Sequence, residues 1–178
     1  YLGAENAQDI LKIIRQGFQL LLDLNSLFFF QYRGDSLLGA AMSGDEQEDV
    51  IRSLRIPFRE ETSLLVKALL QQRILDTFDN KSLLSILDEQ LVRFLGSEGM
   101  ICLPMRVGED RLGVLIGALR RNEREMLHSK RKFLTMFLNL ASLALHRFQV
   151  KEAQAERIRE ERMSATSILA RKVVHEAH

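Results

Sequence analysis

Beyond Gly117 the sequence contains neither Gly nor Pro through to residue 178. Without either breaker the chain is predicted to be helical from about Glu125 almost to its end, over fifty residues and on the order of 80 Å. A domain that 178 residues can build is too small to bury such a helix, so the helix is expected to leave it. Its two halves differ. Residues 133 to 148 carry Phe133, Leu134, Phe137, Leu138, Leu140, Ala141, Leu145 and Phe148, enough apolar surface to cover a sheet. Residues 151 to 162, KEAQAERIREER, set four basic and four acidic residues around a thin stripe of Ala155 and Ile158, continued by Ala165 and Leu169. Such a stripe suits a two-helix coiled coil with a partner chain, the alternative being a solvated single helix.

Composition narrows the remaining possibilities. Hydrophobic residues at 46% and charged residues at 28% describe an ordinary globular chain of one domain plus an extension, or of two small domains. A net charge of +1 gives no overall electrostatic bias towards nucleic acid. A single Cys excludes an internal disulfide framework and makes a reducing compartment the default. The longest apolar runs, LFFF at 27 to 30 and GVLIGAL at 113 to 119, fall well short of the ~18 to 20 residues that cross a bilayer. No signal-peptide pattern stands at the start. The expectation is a cytoplasmic piece of a longer chain, since it opens on Tyr1 and closes on RKVVHEAH inside helical sequence.

Along the chain, Ile10, Ile14, Phe18, Leu21 and Leu22 mark one buried face of a helix over 5 to 24, weakened by Gly17. SLFFFQY and LLGAAM, joined by Arg33-Gly34-Asp35, read as strand, turn and strand. SGDEQED, 43 to 49, reads as a polar loop carrying Asp45, Glu46, Glu48 and Asp49. A helix from Thr62 or Ser63 to about Gln71 follows, then a short strand ILDTFD at 74 to 79. Ser82 is expected to cap the helix LLSILDEQLVRFL, and Gly96 to end it. GMICLPMRV and RLGVLIGALR form a central hairpin about Gly108-Glu109-Asp110. Pro104 lacks a ladder donor, so its place must be an edge, a bulge or a pocket.

This order resembles a GAF sensory domain over about residues 5 to 148. ICLPMRVGEDRLGVLIGAL is similar to the family's strand ending in Pro and an apolar residue, its turn, and a strand reading Gly-Val-Leu. RIPFREETSLLVKALLQQRILDTFD is similar to the family's middle portion, a short helix leading to a strand beside a ligand pocket. The resemblance implies an α+β fold, an antiparallel sheet flanked by helices with a long C-terminal exit helix. It also implies a regulatory role: sensing an unidentified small molecule, or dimerisation alone if the pocket is lost. An apolar cavity with convergent polar groups would favour sensing; Phe28, Phe30, Phe78 and Met100 filling the centre would count against it.

The terminal residues resemble a second element. In many sensor kinases the exit helix of a GAF domain runs into a dimerisation and phosphoacceptor helix. That helix reads His, an acidic residue, two variable residues, Asn or Thr, then Pro. His175, Glu176, Ala177 and His178 follow the pattern as far as the sequence goes. The resemblance implies that His175 accepts a phosphoryl group, with Glu176 as assisting base. It implies a parent that is an ATP- and Mg²⁺-dependent protein histidine kinase, with a response regulator as partner. Imidazole chemistry is compatible, since the neutral ring keeps a nucleophilic nitrogen near pH 7. The sequence itself holds no phosphate loop or other kinase machinery, and no cofactor is expected in it. The division expected is sensory domain 1–148, signalling coiled coil 149–170 and truncated phosphoacceptor helix 171–178. The alternative is a regulatory module of a transcription regulator or of a cyclic-nucleotide or cyclic-dinucleotide enzyme.

Other chemistry-bearing residues point to less. Cys102, in a central strand, reads as inert packing. His128 and His146 stand on a helix with no Cys or His at ligand spacing, so no metal or haem is expected. Asn80-Lys81 resembles part of the cyclic-nucleotide signature of some GAF domains, but the Phe-Asp-Glu element does not follow at its spacing. RRNEREMLHSKRK, 120 to 132, has six basic residues among thirteen and could face phosphate, though a solvated loop and first turn explains it as well. No helix-turn-helix pattern occurs, so nucleic acid is not an expected partner.

Overall fold

A computed structural model describes residues 7–42 and 47–176. It has two compact units, one running to His146 and one from Arg147. In chain order the first unit holds α1 (Ala7–Leu22), β1 (Phe28–Tyr32), β2 (Ser36–Ala40), α2 (Gln47–Arg52), β3 (Arg55–Pro57), α3 (Leu64–Gln71) and β4 (Leu75–Asp76). It continues with α4 (Ile86–Leu95), β5 (Gly99–Val107), β6 (Asp110–Leu119), α5 (Arg124–Ser129) and the beginning of α6 (Arg131–Glu176). The strands form one sheet in the order β3-β2-β1-β6-β5-β4, antiparallel at every pairing. The fold is therefore the α+β arrangement that the resemblance implies.

Alternation along the strands makes two apolar layers. Phe28 and Phe30 of β1, Met100 and Cys102 of β5, and Val114 and Ile116 of β6 join a core with Leu64, Leu65, Ala68 and Leu69 of α3 and Leu91 and Leu95 of α4. Their neighbours Phe29, Ile101, Leu103 and Leu115 point to the opposite face and are equally buried. That face is closed by α1, through Ile10, Ile14 and Phe18, and by Leu134, Leu138, Ala141 and Leu145 of α6. Gly17 earns its place here: a Cβ on it would stand 2.5 Å from the ring of Phe137, which meets Phe18 edge-on at 4.7 Å.

Several expected boundaries move, each for a local reason. SGDEQED is not all loop: Gln47–Arg52 is helical, and Glu48 is fully buried. Its carboxylate accepts the Met42 amide at 2.6 Å and lies 3.5 Å from the Arg15 guanidinium. Asp45 and Glu46 lie outside the described residues. The helix backbone also passes so close to β2 that a Cβ on Gly39 would meet the Ile51 carbonyl oxygen at 1.7 Å. β3 was not expected, and it sits at the sheet edge where Pro57 can be tolerated. The short strand at 74 to 79 shrinks to Leu75–Asp76, because the Asp76 carboxylate accepts the Asp79 amide and turns the chain.

Ser82 does not cap α4. It lies in a one-turn 3₁₀ segment, and Ser85 is the cap, because Asp88 stands three residues after Ser85 and completes a reciprocal capping box. The C-terminal helix is also interrupted, at Lys130 (φ −95°, ψ 11°), where the Ser129 hydroxyl donates to the Met126 carbonyl. The hairpin β5–β6 stands as expected, with Gly108 at φ +57° in its turn and a bulge between Met105 and Arg106.

Asp88 does more than cap its own helix. It is fully buried and accepts the Ser85 amide at 3.0 Å, the Leu64 amide at 3.0 Å and the Ser63 hydroxyl at 2.7 Å. Ser63 in turn caps α3 by accepting the Leu65 amide. One carboxylate thus joins the N-termini of α3 and α4, where both helix dipoles favour negative charge. Asp88→Ala would strand three donors and should cost about 3 kcal/mol or more, measurable as a lowered urea midpoint; a change below about 1 kcal/mol would contradict this role. Cys102, on the same layer, is fully buried, and burial, aided by the Asp88 and Asp76 charges, pushes its thiol well above the ordinary range. Ellman's reagent should therefore modify Cys102 at least ~100-fold faster in urea than in the native protein.

Candidate functional site

The α3–α4 face of the sheet is where the resemblance leads one to look for a ligand. Phe28, Phe30 and Met100 fill its centre with no more than 3% exposure. Phe78 does not join them. It is half-buried, with the Arg121 guanidinium 5.5 Å from its ring centre. At the other end of this layer Arg111 lies over Tyr32 and Phe58, 5.7 and 5.1 Å from their ring centres.

Open space lies instead where β4, the outer part of β5 and the α5–α6 segment meet. One cavity of about 370 Å³ has a floor of Ile101, Leu119, Leu127 and Leu134, with Asp76, Asp79, Arg124 and His128 around it. Arg124 and Asp79 form an ion pair across its rim. Burial raises the pKa of the Asp76 carboxyl, and the Arg124 charge partly offsets this. A second cleft, of about 470 Å³, shares Ile74 and Arg131 with the first and is lined by Arg73, Arg106, Gln72, Thr135 and Asn139. Pro104 also lines it, beyond the end of β4, which pairs only with Ile101 and Cys102 of β5. The uncovered edge gives Pro104 the kind of position its missing donor demands.

The basic stretch 120 to 132 is partly tied to the sheet rather than wholly solvated. Besides the contacts of Arg121 and Arg124, the Arg131 guanidinium donates to the Ile74 carbonyl at 3.1 Å. His128 lines the first cavity, whereas His146 Nε2 lies 2.9 Å from an Asp110 carboxylate oxygen at the β5–β6 turn. Among the described residues no group of three His, Cys, Asp or Glu side chains is placed to hold a metal ion.

His175 is an exposed residue of α6, and the side chain of Glu176 lies outside the described residues, as does His178. Ile158 and Leu169 are exposed, at 50% and 63%. No helix among the described residues is long and apolar enough to cross a membrane. Arg73 and Arg106 escaped sequence reasoning altogether; only the unfavourable proline in β5 signalled that something other than a strand borders that edge.

No protein-family model matches the sequence, and no curated protein matches it either. Solved structures do match. A GAF domain/HD domain protein from Geobacter sulfurreducens superposes with a TM-score of 0.65 at 16% identity, over 82% of this chain and 95% of the other. The GAF domain of a phosphoenolpyruvate-protein phosphotransferase from Coxiella burnetii gives 0.59 at 18% identity, over 85% and 89%. The GAF domain of a two-component sensor histidine kinase from Bacillus halodurans gives 0.50 at 19% identity, over 79% and 99%. At such identities the likeness concerns architecture, and the architecture of this chain is the GAF fold.

Proposed function

We propose that the chain is a small-molecule-sensing and dimerisation module of a cytoplasmic sensor histidine kinase, passing its signal along α6 to His175. The observation that carries this reading is α6 itself. One unbroken helix, Arg131–Glu176, supplies Leu134, Leu138, Ala141 and Leu145 to the core of the first unit and also bears His175. A fold shared with the GAF domain of a two-component sensor histidine kinase supports the same direction.

The helix carries a second apolar stripe that the single chain leaves open. Phe133, Met136, Leu140 and Leu143 are 41% to 57% exposed, at the alternating three- and four-residue spacing of a coiled-coil seam. Leu20 of α1 is exposed as well, and so is Leu21, which the spacing places on the buried face of the helix. In the second unit Ala155, Ile158, Ala165 and Leu169 resume the spacing, one residue out of phase with the first stretch. A one-residue offset has the effect of two successive stutters, which locally unwind a left-handed seam. Two copies paired in parallel through α1 and α6 would cover both stretches. An offset between them gives the seam a place where alternative registers lie close in energy, and packed seams favour discrete arrangements over continuous bending. A ligand that prefers one arrangement ~100-fold would shift the balance by about 2.7 kcal/mol.

In the parent kinase His175 is the phosphoacceptor, with Glu176 as assisting base and a response regulator taking the phosphoryl group onward. ATP and Mg²⁺ belong to the parent's catalytic domain.

Sedimentation of this chain at roughly 50 µM should show a dimer, and Ile158→Asp with Leu169→Asp should weaken it at least tenfold without unfolding the sheet domain; a monomer at that concentration would count heavily against pairing. Extending the sequence past His178 should reveal Asn or Thr and then Pro, with an ATP-binding domain beyond. Incubated with labelled ATP, the full kinase should gain an acid-labile, base-stable phosphate that His175→Gln abolishes and His178→Gln spares. Label that survives the first change means another residue is the acceptor. Continuation into a nucleotide cyclase or DNA-binding helix pair would end the kinase reading.

A further inference from the structure

The cleft beside the outer edge of β5 is assembled from three places far apart in sequence. Arg73 follows α3, Arg106 stands on β5 beside the bulge, and Arg131 opens α6. Among the described residues no Asp or Glu lines this cleft. Arg106 is largely buried, its Nε donating to the Gly108 carbonyl at 2.7 Å. The carboxylate nearest its guanidinium is that of Glu109, 3.6 Å away on a side chain fully in solvent. Arg131 is half-buried and spends one donor on the Ile74 carbonyl. Neither Arg73 nor Arg131 forms a direct ion pair among the described residues, though the Arg131 charge also acts on Asp76 in the adjoining cavity.

Guanidinium groups that share a cleft repel one another, and the partial burial of Arg106 and Arg131 weakens the solvent screening that would relieve them. An arrangement of this kind is relieved by an anion. Phosphate oxygens match the planar fork of arginine, and Gln72, Thr135 and Asn139 add neutral donors around the same space. The adjoining cavity supplies what the uncharged part of a ligand would need. It shares Arg131 and Ile74 with the cleft and has an apolar floor.

We propose that this cleft binds a phosphorylated small molecule, its phosphate held by Arg73, Arg106 and Arg131 and its less polar remainder seated over Ile101 and Leu119. Binding there would tie the first turn of α6 to the end of α3 and to β5. This names a ligand class for the sensing module and rests on the regulatory reading only for that consequence; the binding itself needs no partner chain.

Calorimetric titration of this chain with inorganic pyrophosphate and with adenosine monophosphate tests it, with adenosine as the uncharged comparison. At least one of the two phosphates should bind, adenosine should not, and added salt should weaken binding. Arg73→Gln and Arg131→Gln should each lower affinity at least tenfold, whereas Arg93→Gln on α4 should leave it unchanged. Arg73 is exposed and its side chain makes no hydrogen bond or ion pair among the described residues, so its variant decides the matter if Arg131→Gln proves unstable. No binding of either phosphate at roughly 10 mM, or equal affinity in wild type and Arg73→Gln, overturns the proposal. Phosphate binding that leaves the sedimentation of the chain unaltered would keep the site and remove its regulatory role.

Discussion

A single buried carboxylate, Asp88, fixes the beginnings of two helices against one face of the sheet, and that closure governs where else the molecule can respond to anything. With α3 and α4 held at their N-termini by the same group, their apolar faces meet Phe28, Phe30, Met100 and Cys102 in a packed layer. The layer has the density of an interior, where a change of even one methylene is felt. A ligand entering here would have to displace buried aromatic rings. The opposite end of the sheet offers the contrast: β4 stops after two residues, the outer edge of β5 lies open, and charged side chains gather where a strand would otherwise pair.

Two consequences follow for a module of this kind. On the proposed reading, ligand recognition lies not in the closed layer but on the side on which α6 begins, so recognition and output would share a helix. The first turn of α6 contributes Arg131 to the open cleft, and its later turns contribute Leu134 and Leu138 to the core. The helix whose first turn lines the cleft is also the one that carries His175. The second consequence concerns the remaining apolar stripe. Phe133, Met136, Leu140 and Leu143 lie on a part of α6 that the single chain does not cover, and in the proposed dimer a second copy would supply an identical stripe.

Much of the fold was legible because its signals are local. The continuous apolar runs ICLPMRV and GVLIGAL, with Gly108 between, mark the hairpin, and Thr62-Ser63 before an apolar run marks the start of α3. The misplaced cap of α4 was legible too, since Ser85 and Asp88 have the capping-box spacing that Ser82 lacks. What escaped depended on tertiary partners. Glu48 reads as loop because its polarity says surface, yet the Met42 amide and the Arg15 guanidinium make burial tolerable. The cleft could not be read at all, since residues 73, 106 and 131 share no motif and are brought together only by the short β4 and the break at Lys130.

The claim on which the rest turns is that two copies of α6 lie side by side in parallel. Spin labels on Gln154→Cys and, separately, Arg171→Cys test it, because Cys102 is buried and should stay unlabelled. The two sites are about 25 Å apart along the helix. Parallel pairing predicts short label-to-label distances at both, roughly 10 to 25 Å given helix axes about 8 to 10 Å apart. A short distance at only one site would mean antiparallel or crossing helices, and no dipolar coupling at either would mean that the chain signals, if it signals, without this seam.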